Sequence, residues 1–234
     1  MTPVNAGMHS RENLSILAPS EKRALIWIAR QLPDSINSDH LSGLGLVAMA
    51  SAGLSFAAFR LSPWAAAGVV VSLAANWFGD SLDGTVARVR GQQRPRYGFY
   101  VDHIIDVAGT TFLLAGMACS GLMNPVIALV ALVLFLSVSA ESYLATHAAG
   151  VFRMSFLGFG PTELRMLIAV GAVKAAMSPW ATLGSLGQVK LFDLGGVVAS
   201  IGLVIAFVAA SIRNTKALYI AEPLPARSSQ SGAA

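Results

Sequence analysis

The sequence predicts an all-α polytopic membrane protein, with six transmembrane helices preceded by an N-terminal amphipathic helix on the membrane surface. Three observations predict it. Of 234 residues, 55% are hydrophobic and 12% are charged, about half the charged share of an ordinary globular domain. Several apolar runs reach the roughly 20 residues that a bilayer crossing requires. Basic residues gather in alternate connections rather than on one soluble face, the pattern left by the positive-inside rule.

The elements follow in order. Residues 1–19 are polar and mixed. Residues 20–35, SEKRALIWIARQLPDS, open on a Ser-Glu cap signal and set Leu25, Ile26, Ile28, Ala29 and Leu32 among Lys22, Arg23 and Arg30. That suits a short helix lying on the membrane surface. Spanning helices are expected near 40–60, 63–90, 98–120, 124–149, 161–179 and 190–212. Ser62-Pro63 gives the second a start signal. Three parts result: a cytoplasmic N-terminal segment 1–35, a membrane domain 36–215, and a Pro-, Ser- and Ala-rich tail 216–234 expected to be disordered.

Orientation follows from Lys and Arg. The N-terminal segment, the second-to-third connection, the fourth-to-fifth connection and the tail hold nearly all of them. Only Arg60, Lys174 and Lys190 of the 16 basic residues are left for the other side or for helix interiors. Both termini are therefore expected in the cytoplasm, in the inner membrane if the cell is bacterial. The N-terminus has no apolar core behind a basic start, so the first spanning helix is the expected insertion signal. The formal charge of +4 does not imply a nucleic-acid partner, because the cations sit at helix ends. The single cysteine, Cys119, excludes an intrachain disulfide and a cysteine-based metal cluster, and reads as a packed, inert thiol.

One stretch breaks the apolar pattern: GDSLDGTVARVRGQQRPRYGFYVDHIIDV. Asp80 and Asp83 are i,i+3 and Asp102 and Asp106 are i,i+4, so each pair shares one helix face. An ionised side chain at mid-bilayer costs about 2.5–3.5 kcal/mol on insertion scales, and four carboxylates also repel one another. Two divalent cations would balance their charge. Oxygen-only ligation suits Mg2+ or Mn2+, and a pair of such ions about 3.5–4 Å apart can polarise a phosphate. Gly84, Ala87 and Gly98 leave room beside the carboxylates, and Arg88 can pair with phosphate. Small residues at this spacing also serve close helix packing. His103 lies about 100° round from Asp102 and reads as a packing residue.

The stretch resembles the signature of the CDP-alcohol phosphotransferases, D-x2-D-G-x2-A-R-x8–9-G-x3-D-x3-D. It reads Asp80-x2-Asp83-Gly84-x2-Ala87-Arg88-x9-Gly98-x3-Asp102-x3-Asp106 without departure. Asn37 loosely resembles an Asn that the family often carries before its first helix. The resemblance implies six helices with a cytoplasmic catalytic cleft. It implies that Asp80, Asp83, Asp102 and Asp106 ligate two Mg2+ or Mn2+ ions. Asp80, Asp83, Gly84, Ala87, Arg88 and Gly98 would surround the CDP group, and Asp106 would be the general base. The implied reaction is an EC 2.7.8-type transfer in phospholipid synthesis, moving a substituted phosphate to an alcohol with release of CMP. The favoured donor is CDP-diacylglycerol. A homodimer is compatible with the family, with no interface legible.

The acceptor is left open. Glu141, Tyr143, Thr146, His147, Arg153, Glu163 and Arg165 form a second polar island. Glu141, Tyr143, Gly160-Pro161 and Glu163 loosely resemble the aminoalcohol phosphotransferases, which join a CDP-alcohol to diacylglycerol. Arg153 and Arg165 could instead hold a phosphorylated acceptor, or merely anchor helix ends. The candidate acceptor residues are thus Glu141, Arg153, Glu163 and Arg165. A rival of another class is a cation transporter, which would spread its acids through the membrane depth.

Overall fold

In the computed structural model, the described residues are 18–149, 161–184 and 187–224. Among these residues are seven α-helices: α1 (Ala18–Gln31), α2 (Ser38–Ala57), α3 (Ala65–Val89), α4 (Pro95–Cys119), α5 (Pro125–Ala149), α6 (Pro161–Met177) and α7 (Leu191–Ala221). A 3-10 turn, Ala58–Arg60, extends α2. Between α6 and α7 lies a small antiparallel hairpin, β1 (Trp180–Thr182) with β2 (Gln188–Lys190), in which Ala181 faces Val189. Sequence periodicity gave no sign of it, because three-residue strands are too short to alternate visibly.

Helix starts are set by short polar signals. Asn37 caps α2: its Oδ1 accepts from the His40 N–H at 3.0 Å, and His40 Nδ1 accepts from the Asn37 N–H at 3.4 Å, a reciprocal capping box with histidine at N3. The family-like Asn before the first membrane helix therefore has a local structural reason here. Pro95 and Pro125 open α4 and α5, where a missing N–H costs nothing. Asn124 Oδ1 accepts from the Val126 N–H at 2.9 Å.

Among the described residues five helices, α2 with its 3-10 extension, α3, α4, α5 and α7, are long and apolar enough to cross a membrane. The protein is an integral membrane protein of all-α class. The sixth expected span, α6, has 17 residues and begins with Glu163 and Arg165. It rises about 25 Å, short of the roughly 30 Å of hydrocarbon. α7 runs the other way: its 31 residues carry it through Ala221, so the first part of the expected disordered tail is helix.

α2 is the hub. It packs along α3 on one side and α4 on the other, while α3 and α4 hardly touch each other. Beyond them α6 lies on α3, α5 on α4, and α7 on α5. Glycines permit these approaches. A Cβ on Gly79 would stand 2.6 Å from Leu41 O and 2.8 Å from Gly45 N, and a Cβ on Gly116 would overlap the backbone of Gly53. The main core, with Ala52, Phe56, Val69, Leu73, Leu113, Met117 and Phe192, fills the half of the bundle away from the aspartates. Exposed Leu54, Val71, Val133, Val170 and Ile205 present the apolar exterior that lipid covers.

α1 does more than lie on a surface. Leu25 and Ala29 are buried against Leu41, Leu82 and Val86, while Trp27 stays exposed. Arg90, past the end of α3, donates to the carbonyls of Ile36 at 2.6 Å, Leu32 at 2.9 Å and Pro33 at 3.1 Å. Those carbonyls end the α1 segment, so a single guanidinium ties it to α3. Cys119 is exposed at the end of α4, not packed as its apolar surroundings suggested.

Candidate active site

Asp80 and Asp83 lie in the second half of α3, Asp102 and Asp106 in the first half of α4. Both helices pack on α2 and hardly on each other. α2 lies between them. Asp80 and Asp102 are the carboxylates that repel Asp83, and Tyr143 of α5 feels the charges of Asp106 and Asp102. Asp83 thus lies within electrostatic reach of Asp80 and Asp102, and Tyr143 within reach of Asp102 and Asp106.

Protein donors hold two of them. Asp83 Oδ2 accepts from Ser42 Oγ at 2.6 Å, and its Oδ1 from the Gly84 N–H at 2.5 Å. Asp80 Oδ2 accepts from Arg165 Nη2 of α6 at 2.5 Å. The Asp80–Arg165 pair is half-buried, with side-chain exposures of 28% and 15%, where Coulomb attraction is less screened than on an open surface. The Gly45–Gly79 approach fixes the height of Asp80 against α2, since Gly79 precedes it directly.

The small motif residues border open space. A Cβ on Gly98 would meet nothing within 4 Å, whereas one on Gly84 would stand 3.3 Å from Arg88 Nη1. Arg88 is exposed and folds back over Gly84, donating to Thr85 Oγ1 at 3.0 Å. Ala87 is half-buried. His103 is buried, its Nδ1 2.6 Å from Phe99 O, and its ring packs between Phe99 at 4.1 Å and Tyr143 at 5.1 Å. Its position off the aspartate face makes it packing, as the helix geometry anticipates. Outside the spans, Arg94 pairs with Asp39, which raises the guanidinium above its ordinary value.

The expected acceptor residues divide. Arg165 enters the aspartate region, and Glu163 is half-buried in the same first turn of α6. Glu141 accepts from Asn214 Nδ2 of α7 at 2.6 Å. It therefore faces α7, while Tyr143, two residues on and about 200° round the helix, faces α4. Arg153 and Gly160 lie outside the described residues.

Three polar residues were missed in the sequence. Ser42 was lost among small residues of an apolar run, and Asn214 in the basic exit of the last helix. Asn76 carried a signal: with Asp80, Asp83 and Ala87 it repeats at four-, three- and four-residue steps. It is buried, donates to Gly45 O at 3.0 Å, and its Oδ1 has no hydrogen-bond partner among the described residues.

Among the described residues, no group of three or more His, Cys, Asp or Glu side chains is gathered to hold a metal ion. The donor chemistry is nonetheless the right one. Four carboxylates, with neither sulfur nor imidazole in the set, fit a hard divalent cation.

A family model for CDP-alcohol phosphatidyltransferases matches residues 41–208. The chain belongs to the CDP-alcohol phosphatidyltransferase family. It is accordingly a phosphotransferase of membrane phospholipid synthesis, and the ion-transport alternative falls away. Among solved structures, the fold is similar to that of phosphatidylinositol phosphate synthase from Mycobacterium tuberculosis with CDP-DAG bound. The TM-score is 0.53 at 20% identity, covering 84% of this chain and 92% of that one. A search of curated proteins found no match.

Proposed function

We propose that this CDP-alcohol phosphatidyltransferase moves the phosphatidyl group of CDP-diacylglycerol to the hydroxyl of a small polar alcohol, releasing CMP. The family assignment supports the reaction class. The fold likeness to a synthase crystallised with CDP-DAG supports that donor, as an analogy of fold. The observation that supports the site is that Ser42 of α2 and Arg165 of α6 bond Asp83 and Asp80 of the motif, while Asp102 of α4 lies within electrostatic reach of Asp83.

Asp80, Asp83, Asp102 and Asp106 would hold two Mg2+ or Mn2+ ions. Bound there, the ions would neutralise the diphosphate and make its phosphorus more electrophilic. The residues of the chain do the rest. Ser42 and the Gly84 N–H fix the rotamer of Asp83. Gly84, Ala87 and Gly98 leave space for the nucleotide, and Arg88, exposed beside Gly84, pairs with its phosphate. Asp106 takes the proton of the acceptor hydroxyl, whose own pKa is too high for attack unaided. The acceptor oxygen bonds to the phosphorus bearing diacylglycerol as the anhydride bond breaks. Its electron pair leaves with CMP.

Arg165 and Glu163, near the start of α6, would border the acceptor side, and Arg153 precedes them in the sequence. The position of Arg165 beside Asp80 favours an acceptor that itself carries phosphate. Glu141, bonded to Asn214, supports the wall between α5 and α7. Placement of basic residues supports a cleft and termini on the cytoplasmic side.

The test is CMP release by the purified protein from labelled CDP-diacylglycerol, with a panel of polar and phosphorylated alcohols. Turnover should require a divalent cation and vanish in Asp106→Asn. CMP release only from CDP-choline or CDP-ethanolamine with diacylglycerol would reverse donor and acceptor roles.

A further inference from the structure

At the opposite end of the bundle from the aspartates is a cavity of about 610 Å3 between the α4–α5 connection, the hairpin and the first turn of α7. Its size falls within the range of small-molecule sites, about 300–1,000 Å3. Among the described residues, the basic side chains at this end are Arg60, Lys174 and Lys190, and two of the three line this one cavity. Cations are scarce on one side of a membrane protein, so their convergence calls for a counter-charge.

The protein supplies one carboxylate, Asp193, against two cations, which leaves the cavity one positive charge in excess. Lys190 Nζ donates to Gly121 O at 2.8 Å, which fixes the ammonium on the wall and leaves two N–H groups for another acceptor. Asp193 also lines the cavity, but its Oδ1 accepts from the Asn124 N–H at 2.5 Å and so serves the start of α5. Among the described residues no ion pair joins it to Arg60 or Lys190. Trp180, 45% exposed, stands at the rim. An indole there suits the headgroup level of a bilayer, apolar on one side and wet on the other.

We propose that this cavity binds the phosphate of an anionic glycerophospholipid, held between Arg60 and Lys190, with Trp180 against its glycerol backbone. The site is separate from the transfer reaction and does not depend on the donor assigned above. A phosphate group is the shared chemistry, and the lipid is its source.

Native mass spectrometry of the full-length protein, from micelles doped with phosphatidylglycerol or phosphatidylcholine, reads the site. The wild type should retain phosphatidylglycerol in preference. Loss of one charge-assisted contact in Arg60→Gln should lower that retention by about tenfold, and Arg60→Gln/Lys190→Gln should abolish the preference. Lys174→Gln, at the same end but off the cavity, should behave as wild type. Arg60→Gln leaves the Lys190–Gly121 bond in place, so it decides the matter if the double variant fails to insert. Undiminished preference in Arg60→Gln would overturn the proposal. Inorganic phosphate should not displace the lipid at equal concentration. If it does, the site belongs to free phosphate and the lipid assignment fails.

Discussion

Replacing Ser42 by Ala removes a single oxygen from a residue far from the motif in sequence, and it should damage the site. Ser42 is buried, and its hydroxyl donates to Asp83 Oδ2 at 2.6 Å. Hydrogen bonds to a charged group contribute about 1.5–3 kcal/mol. Partners of metal-ligating carboxylates typically cost 10–100-fold in metal affinity or activity when lost. The Gly84 N–H still holds Oδ1, so the lower end applies. Expected in Ser42→Ala is a drop of about tenfold in kcat/KM for the CDP-linked donor, near 1.4 kcal/mol. The midpoint of the Mg2+ titration should move upward as well. Ser42→Thr keeps the hydroxyl and should restore both. The assay is CMP release over a cation series, beside a thermal melt that separates site damage from unfolding. Wild-type kcat/KM with an unmoved midpoint in Ser42→Ala would refute the claim that α2 presets Asp83.

Other outcomes follow from the same geometry. Arg165→Gln removes the guanidinium from Asp80 and should raise KM for a phosphorylated acceptor by about tenfold or more, with little effect on a neutral alcohol; initial-rate kinetics with both acceptors reads the split. Gly79→Ala drives a Cβ to 2.6 Å from Leu41 O, an overpacking that should cost about 1–3 kcal/mol and lower the melting temperature. Its activity should fall as Asp80 is pushed off α2. Arg90→Ala frees the carbonyls of Leu32, Pro33 and Ile36, so amide exchange in α1 should quicken while α4 is unchanged.

Much of this was legible from the residues. Membrane helices declare themselves through composition, because every turn facing lipid must be apolar, and the Asn37, Pro95 and Pro125 start signals act within a few residues. The aspartate motif was legible for a related reason. Carboxylates so costly in that setting stand out, and helical spacing says which share a face. What could not be read was the third dimension. That α2 separates α3 from α4 depends on the Gly45–Gly79 and Gly53–Gly116 approaches, which link glycines far apart in the chain. Ser42, Arg165 and Asn214 acquire their partners the same way, across 41, 85 and 73 residues. Glu141 shows the converse: its i,i+2 relation to Tyr143 makes them neighbours in sequence and puts them on different helix faces. The hairpin between α6 and α7 is too short to leave a pattern.

If the proposal holds, Asp80, Asp83, Asp102 and Asp106 form one cation site for a CDP-linked donor. Electron paramagnetic resonance of Mn2+ titrated into the purified protein with CDP-diacylglycerol tests it most directly. Two Mn2+ should bind per chain, magnetically coupled, with coupling lost in Asp83→Asn and in Asp102→Asn, one variant from each helix. Two coupled ions that survive both substitutions, or a single isolated ion in the wild type, would contradict it.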